Sequence, residues 1–302
     1  MKVISIKEPW ATLIKNKKKF IETRSWKTNY RGELFIHASL SKIKNNILKD
    51  KLLKDIISTS EMNYGYIICK CKLVDCIYMD EKFLKDIKLN KKEYICGEYS
   101  LGRYAWILKN IEVLKEPIKA KGSLNIWNYY NETEIMTKMN KINYGWMDYN
   151  HELHNDIDDS YSNHYILQTR KEILKNNVGV CWDQVELERY YFRNNNWDIK
   201  TYFIAYYDND KYPTHTFLTY KKNNKFYWFE HSWELFKSIH EYSSLKELLT
   251  DVQQKYIKNE LNNNCIKENL VIREYKKPKD HISVLEFYKH CERGKLINID
   301  KL

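Results

Sequence analysis

Apolar and polar positions alternate over residues 30–38, the two-residue period of a strand with one buried face; the runs at 3–6, 66–76 and 102–108 also read as strands, and 20–26 precedes the alternating run. The wider spacing of Leu40, Ile43, Ile47, Leu48 and Leu52 predicts an amphipathic helix over 41–57. A shorter helix is expected over 8–14, with Pro9 in its first turn, where the missing N–H costs nothing. Lys17, Lys18 and Lys19 follow at its negative C-terminal pole. Residues 128–143 are polar without a clear period and read as a linker in which Ile135 and Met136 could dock. Beyond it, helices are predicted over 169–176, from Cys181 onward, over 245–257 and over 283–291. Residues 155–162 read as an acidic surface loop, and 276–280 as a turn. Two strands joined by Lys221-Lys222-Asn223-Asn224-Lys225 form a predicted hairpin, one opening at Thr214-His215-Thr216-Phe217 and the other closing at Phe226-Tyr227-Trp228-Phe229-Glu230.

The 302 residues, 43% hydrophobic with nine Trp, supply material for two cores. We expect domains at 1–130 and 144–302 with a linker at 131–143. No run of eighteen apolar residues occurs, so no membrane span is expected, and the N-terminus lacks the apolar core of a signal peptide. Seven scattered cysteines, an odd number, fit a reducing cytoplasm better than a disulfide framework. Cys69, Cys71, Cys76 and Cys96 contain no C-x-x-C pair and do not suggest zinc; neither metal nor cofactor is expected.

Charge separates the halves. Residues 1–140 hold 27 Lys and Arg against 16 Asp and Glu, so they carry the entire net charge of +11. Residues 141–302 hold 24 of each and are neutral. The basic half favours a polyanionic partner, chiefly nucleic acid; the neutral half does not look like such a surface. Abundant surface lysine is the plain alternative.

The chemistry concentrates at Val178-Gly179-Val180-Cys181-Trp182-Asp183-Gln184, where a Gly-containing loop enters a helix at a cysteine. Free backbone N–H groups and the dipole of a helix start stabilise a thiolate, and the same N–H groups could hold an oxyanion. Pairing across the hairpin brings His215 beside Glu230, completing a nucleophile, base and orienter. His231 is a rival base, ranked lower because strand alternation would turn it away from Glu230's face. Trp182 could shield the nucleophile or pack in the core, and Gln184, one turn on, could support it. Read plainly, a lone Cys is a small buried hydrophobe.

At these residues the chain, over about 144–258, resembles the transglutaminase-like cysteine hydrolase superfamily, with Glu230 where Asp is usual. The resemblance implies a papain-like Cys181–His215–Glu230 arrangement acting on amide bonds. Residues 3–127 resemble the ASCH domain, a PUA-like β-barrel. The family pattern Gly-x-Lys-x-x-Glu-x-Arg appears with Lys17 in place of Gly, then Lys19, Glu22 and Arg24. Trp26, Arg31-Gly32, His37-Ala38-Ser39, Gly102-Arg103-Tyr104-Ala105-Trp106, Lys121-Gly122 and Trp127 also fit. The resemblance implies that Lys19, Glu22 and Arg24 line a cleft for RNA or a modified base. Physically, two cations beside a carboxylate suit a phosphate and a base edge, Trp26 could stack a base, and Arg31 and Arg103 extend the nucleic-acid-binding set. The same three charged residues would equally form a structural ion-pair cluster. Some small ASCH proteins hydrolyse acylated cytidine with a Lys, a Thr and a Glu; Glu22 stands where the Thr would be.

The expected fold is α+β, an N-terminal PUA-like barrel with flanking helices followed by a transglutaminase-like (papain-like) domain. The expected function is a cytoplasmic cysteine-dependent amide or isopeptide hydrolase, or acyltransferase, brought to RNA or another nucleic acid by the basic domain. A nucleic-acid-binding adaptor with an inactive second domain and a modified-nucleoside hydrolase working in the ASCH cleft are the alternatives.

Overall fold

A computed structural model describes residues 1–41, 53–54, 61–208 and 213–302. The helix expected over 41–57 therefore lies largely outside the described residues. The chain divides into two compact units, Met1–Tyr129 with Asn194–Asn196, and Tyr130–Arg193 with Trp197–Leu302.

In the first unit, β1 (Lys2–Ile6), β2 (Ile21–Arg24), β3 (Gly32–Ala38), β4 (Tyr66–Tyr78), β5 (Tyr104–Lys119) and β6 (Ile126–Asn128) form one sheet in the order β2-β5-β4-β3-β1-β6. Only the β1–β3 pairing is parallel. The β4–β5 register shifts three times, and such irregularities bend a sheet; here it curls into a half-barrel. Its concave side closes on Ile4, Ile36, Ile68, Trp106 and Leu108, all buried, and on α1 (Trp10–Lys15), which adds Ala11 and Ile14. Pro9 stands just before the first helical residue, not inside the first turn. β5 runs eleven residues past the predicted end at Leu108. Helices α2 (Glu81–Leu89) and α3 (Lys91–Tyr94) fill the β4–β5 connection and were not anticipated. Their starts are nonetheless capped in sequence-readable fashion by Asp80 and Asn90.

The second unit opens on α4 (Glu132–Met139), where a linker was expected. Asn131 and Glu134 form a capping box, and Ile135 and Met139 bury against Leu187 and Phe192. The residues read as linker thus belong to this unit's core. Next come the short pair β7 (Trp146–Met147) and β8 (Leu153–His154), then α5 (Tyr161–His164), α6 (Arg170–Asn176) and α7 (Cys181–Phe192). An antiparallel sheet follows in the order β12-β11-β10-β9-β13-β14, made of β9 (Asp198–Tyr206), β10 (Thr214–Lys222), β11 (Lys225–Glu230), β12 (Ser238–Tyr242), β13 (Leu270–Tyr275) and β14 (Lys295–Leu296). Helices α8 (Leu245–Glu260) and α9 (Val284–Glu292) complete the unit. The β10–β11 hairpin turns on Asn223-Asn224, both at positive φ (50° and 61°), the backbone that a tight two-residue turn requires and asparagine tolerates. The strands are therefore longer, and the loop shorter, than predicted.

Candidate active site

The cysteine is placed by its approach. Asn143 bridges Val178 in parallel, and Gly179 N–H donates to Asn143 O at 3.1 Å, fixing the loop before the helix. A Cβ on Gly179 would lie 2.8 Å from Asp183 Cβ, so only glycine lets this loop close on α7. Asp183 accepts from the N–H groups of Val180 (3.2 Å) and Gln168 (2.8 Å) and ties the helix start to the preceding segment. Burial pushes the Asp183 carboxyl up to about 7 in spite of those bonds. Cys181 then opens the helix, and the first helical bond is made three residues later, by Gln184 N–H to Val180 O. The Cys181 amide therefore sits among the unpaired N–H groups of the first turn.

The hairpin supplies the partners. Leu218 faces Phe229 across the ladder, and the same register sets His215 diagonal to Glu230. His215 Nε2 lies 2.8 Å from Glu230 Oε2, in a pair only 8% and 1% exposed. Glu230 also accepts from Trp228 Nε1 (3.2 Å), Ser232 Oγ (3.1 Å) and Trp233 N–H (2.8 Å), so both oxygens are fixed. Burial opposes its charge, but His215 and these donors prevail and hold the carboxyl below its ordinary range. Burial likewise opposes a charged imidazole, yet Glu230 and then the neighbouring Cys181 side chain lift His215 to about 10. With Nε2 engaged by Glu230, Nδ1 is the nitrogen left for sulfur. Imidazole and carboxylate are hydrogen-bonded, and the thiol, far off in sequence, lies near enough to act on the same ring.

His215 faces a cleft of about 420 Å³ that is also lined by Tyr144, Gln184, His231, Trp233, Glu234 and Glu260. His231 is not turned away as alternation predicted: β11 ends at Glu230, so the two-residue period stops before it. Gln184 holds it, donating from Nε2 to Gly179 O (2.8 Å) and accepting through Oε1 from His231 Nδ1. Burial, then Lys237, pushes His231 down to about 4, which leaves it a neutral ring. Trp182 does not shield the site; it stacks on Phe287 at 4.1 Å inside the core.

Two neighbours escaped the sequence reading. Tyr144, 46% exposed as a residue, lines the cleft; partial enclosure of its phenol, followed by the nearby Cys181, raises the phenol above the ordinary tyrosine range. Its position depends on the bridge at Asn143, a contact with no local sequence signal. Glu188 is buried, its carboxyl pushed well above the ordinary carboxylate range first by burial and then by the charge of Glu230. Here a signal existed, since Cys181, Gln184 and Glu188 recur at helical spacing along one face of α7.

The first unit treats its charged motif differently. Lys19 is 1% exposed, and its Nζ donates to Ile21 O (2.5 Å) and Cys96 O (2.6 Å). Glu22 lies 3.9 Å from it and 3.0 Å from Arg24 Nε, while Arg24 donates to Ser5 O. Buried Glu93, absent from the sequence reading, binds the N–H groups of Phe20 and Ile21. Burial drives the Lys19 pKa down against the pull of Glu22 and Glu93. Lys19 is thus a structural cation, not the accessible phosphate contact expected. Trp26 is half-buried, edge-on to Trp106 at 4.6 Å. Arg31 binds Asp75 (3.1 Å) and the Thr28 and Tyr30 carbonyls; Arg103 lies 3.4 Å from both Glu98 and Thr23 O. Of the set, Arg31 is exposed.

Among the described residues, Asp148, Glu152 and His154 are the only cluster with metal-ligand spacing, and no helix is long and apolar enough to cross a membrane.

Comparison with known proteins bears mainly on the first unit. No curated protein matches the chain significantly. One similar solved structure is an arylamine N-acetyltransferase from Bacillus cereus, described as having a Cys-His-Glu catalytic triad. It is 10% identical, with 57% of this chain and 94% of that one covered, at a TM-score of 0.26, a likeness too slight to carry any inference. Residues 4–135, which span the half-barrel and its buried charge cluster, match the ASCH domain family.

Proposed function

We propose that this protein is a cysteine-dependent amide or isopeptide hydrolase, or acyltransferase, directed to RNA by its ASCH region. The observation that carries the reading is the buried 2.8 Å His215–Glu230 pair, with the Cys181 side chain at a helix start near enough to act on the same imidazole. His215 draws the thiol proton, and Sγ of Cys181 attacks the carbonyl carbon. The resulting oxyanion is held by the Cys181 N–H, and we assign a second bond to the Tyr144 phenol, a raised-pKa donor that lines the same cleft. His215 then protonates the departing amine, leaving a thioester. Water resolves it to an acid, an amine to a new amide. Glu230 keeps the imidazole in the tautomer that presents Nδ1 to sulfur. ASCH domains are associated with RNA binding, and the basic first half supports an RNA partner there.

The adaptor reading draws support from the low exposure of Cys181, 5%. The nucleoside-hydrolase reading is disfavoured because Lys19 already spends its donors on two carbonyls. Mass spectrometry of the intact protein after exposure to p-nitrophenyl acetate separates them. An acetyl group on Cys181 that clears faster when an amine is added supports acyl transfer, and one that clears equally fast in water supports hydrolysis. Acetylation that survives Cys181→Ala would refute the reading.

A further inference from the structure

Residues 141–302 are electrically neutral as a whole, yet their charges are segregated. Along α7 and its C-cap, Glu186, Arg189, Tyr190 and Arg193 fall on one stripe, on the side opposite Cys181, Gln184 and Glu188. With Arg170, Lys171, Lys277 and Asp280 they line a groove of about 590 Å³, a size typical of small-ligand sites. Five cations there face two carboxylates. Both carboxylates are already matched, Glu186 with Arg189 at 3.1 Å and Asp280 with Lys277 at 3.4 Å. Arg170, Lys171 and Arg193 have no carboxylate partner among the described residues.

The two spare guanidiniums share one ring. Their central carbons lie 3.9 Å (Arg170) and 3.7 Å (Arg193) from the Tyr190 centroid. At those distances they cannot occupy the same face, so Tyr190 is sandwiched between like charges. The ring's electron-rich faces offset part of their repulsion, but no carboxylate among the described residues pairs with either guanidinium. Stacking uses the flat face of a guanidinium and leaves edge donors for a phosphate, although Arg193 already gives one, Nη1, to the Tyr190 carbonyl at 2.6 Å. Because both faces of Tyr190 are covered, the groove has no free aromatic platform for a base, which single-strand nucleic acid sites use. Recognition falls on phosphate groups, approached by one guanidinium from each side of the ring.

We infer that this groove binds a small molecule through a diphosphate group, with Arg170 and Arg193 each gripping one phosphate and Lys171 adding a third cation. The inference is independent of the chemistry proposed at Cys181. Titration calorimetry of the full chain with inorganic pyrophosphate, at about 150 mM salt to screen weak surface binding, tests it. Saturable binding is expected, weakened roughly tenfold by Arg170→Gln or Arg193→Gln, the effect of losing one charge-assisted bond, with orthophosphate binding more weakly. Should the stacked variants fail to fold, Lys171→Gln, a change at an exposed residue, must still weaken binding by about twofold to threefold. No saturable binding, equal binding of orthophosphate, or unchanged affinity in these variants would overturn the assignment; the last result would place the anion elsewhere, including the basic first half.

Discussion

Both units bury a carboxylate against a cation, and the two clusters differ in what is left over. Around Glu22, the Lys19 ammonium and Arg24 guanidinium close on backbone carbonyls of Ile21, Cys96 and Ser5. Around Glu230, four donors saturate the carboxylate, but the imidazole it orients keeps one nitrogen for a thiol at a helix start. Burial of charge is common to both and marks neither as reactive. A nucleophile beside an incompletely used base is what sets the second cluster apart.

The contrast can be broken most forcefully at the sulfur. Cys181→Ala should abolish acylation by p-nitrophenyl acetate, and His215→Ala should slow it by roughly 10²–10⁴-fold, the range for loss of a positioned base; mass spectrometry reads both. Glu230→Gln should cost about 10²-fold or more through loss of imidazole orientation. It should also lower the His215 pKa, followed by histidine NMR. The stability linkage has a definite sign. Because His215 rises from 6.5 to about 10, its stabilisation is full below 6.5 and is lost as pH climbs through about 10. Glu230 is shifted below 4.5, so its share is present above that value and lost on acidification. Denaturant midpoints across pH should therefore decline on the alkaline side in wild type and lose most of that dependence in Glu230→Gln.

In the first unit the expected damage is to folding. Lys19→Met leaves Glu22 and Glu93 buried with one cation fewer and should cost about 3–5 kcal/mol, read by urea denaturation. A loss of RNA binding without a loss of stability would show Lys19 to be a contact after all. The smallest effect belongs to Arg31→Ala, which breaks an exposed pair with Asp75 and should change stability by about 1 kcal/mol or less. Its RNA affinity should lose roughly one unit of salt slope if Arg31 meets a phosphate.

What was legible in the sequence was local. The Gly179-Val180-Cys181 helix start and the hairpin that sets His215 against Glu230 each lie within a few residues of chain or one tight turn. What was not legible needed distant partners. Tyr144 reaches the cleft through a bridge to Val178, and Lys19 is buried by carbonyls as far away as Cys96. The α4 helix was missed because its apolar contacts come from α7 and its own period is short, although its Asn131–Glu134 capping box was in plain view. His231 was misplaced by extending strand alternation one residue beyond the strand's end. The basic groove on α7 was hidden by summing charge over half the chain, since a total says nothing of which faces the charges occupy.

The central claim, that His215 activates Cys181, is tested most directly by the pH dependence of iodoacetamide alkylation at each cysteine. Burial raises the thiol pKa of Cys69, Cys71 and Cys291, so these provide an unreactive internal reference. The account predicts that Cys181 is alkylated first near neutral pH and that His215→Ala removes this preference. Alkylation of Cys181 no faster than the reference cysteines, or a preference that survives His215→Ala, would contradict it.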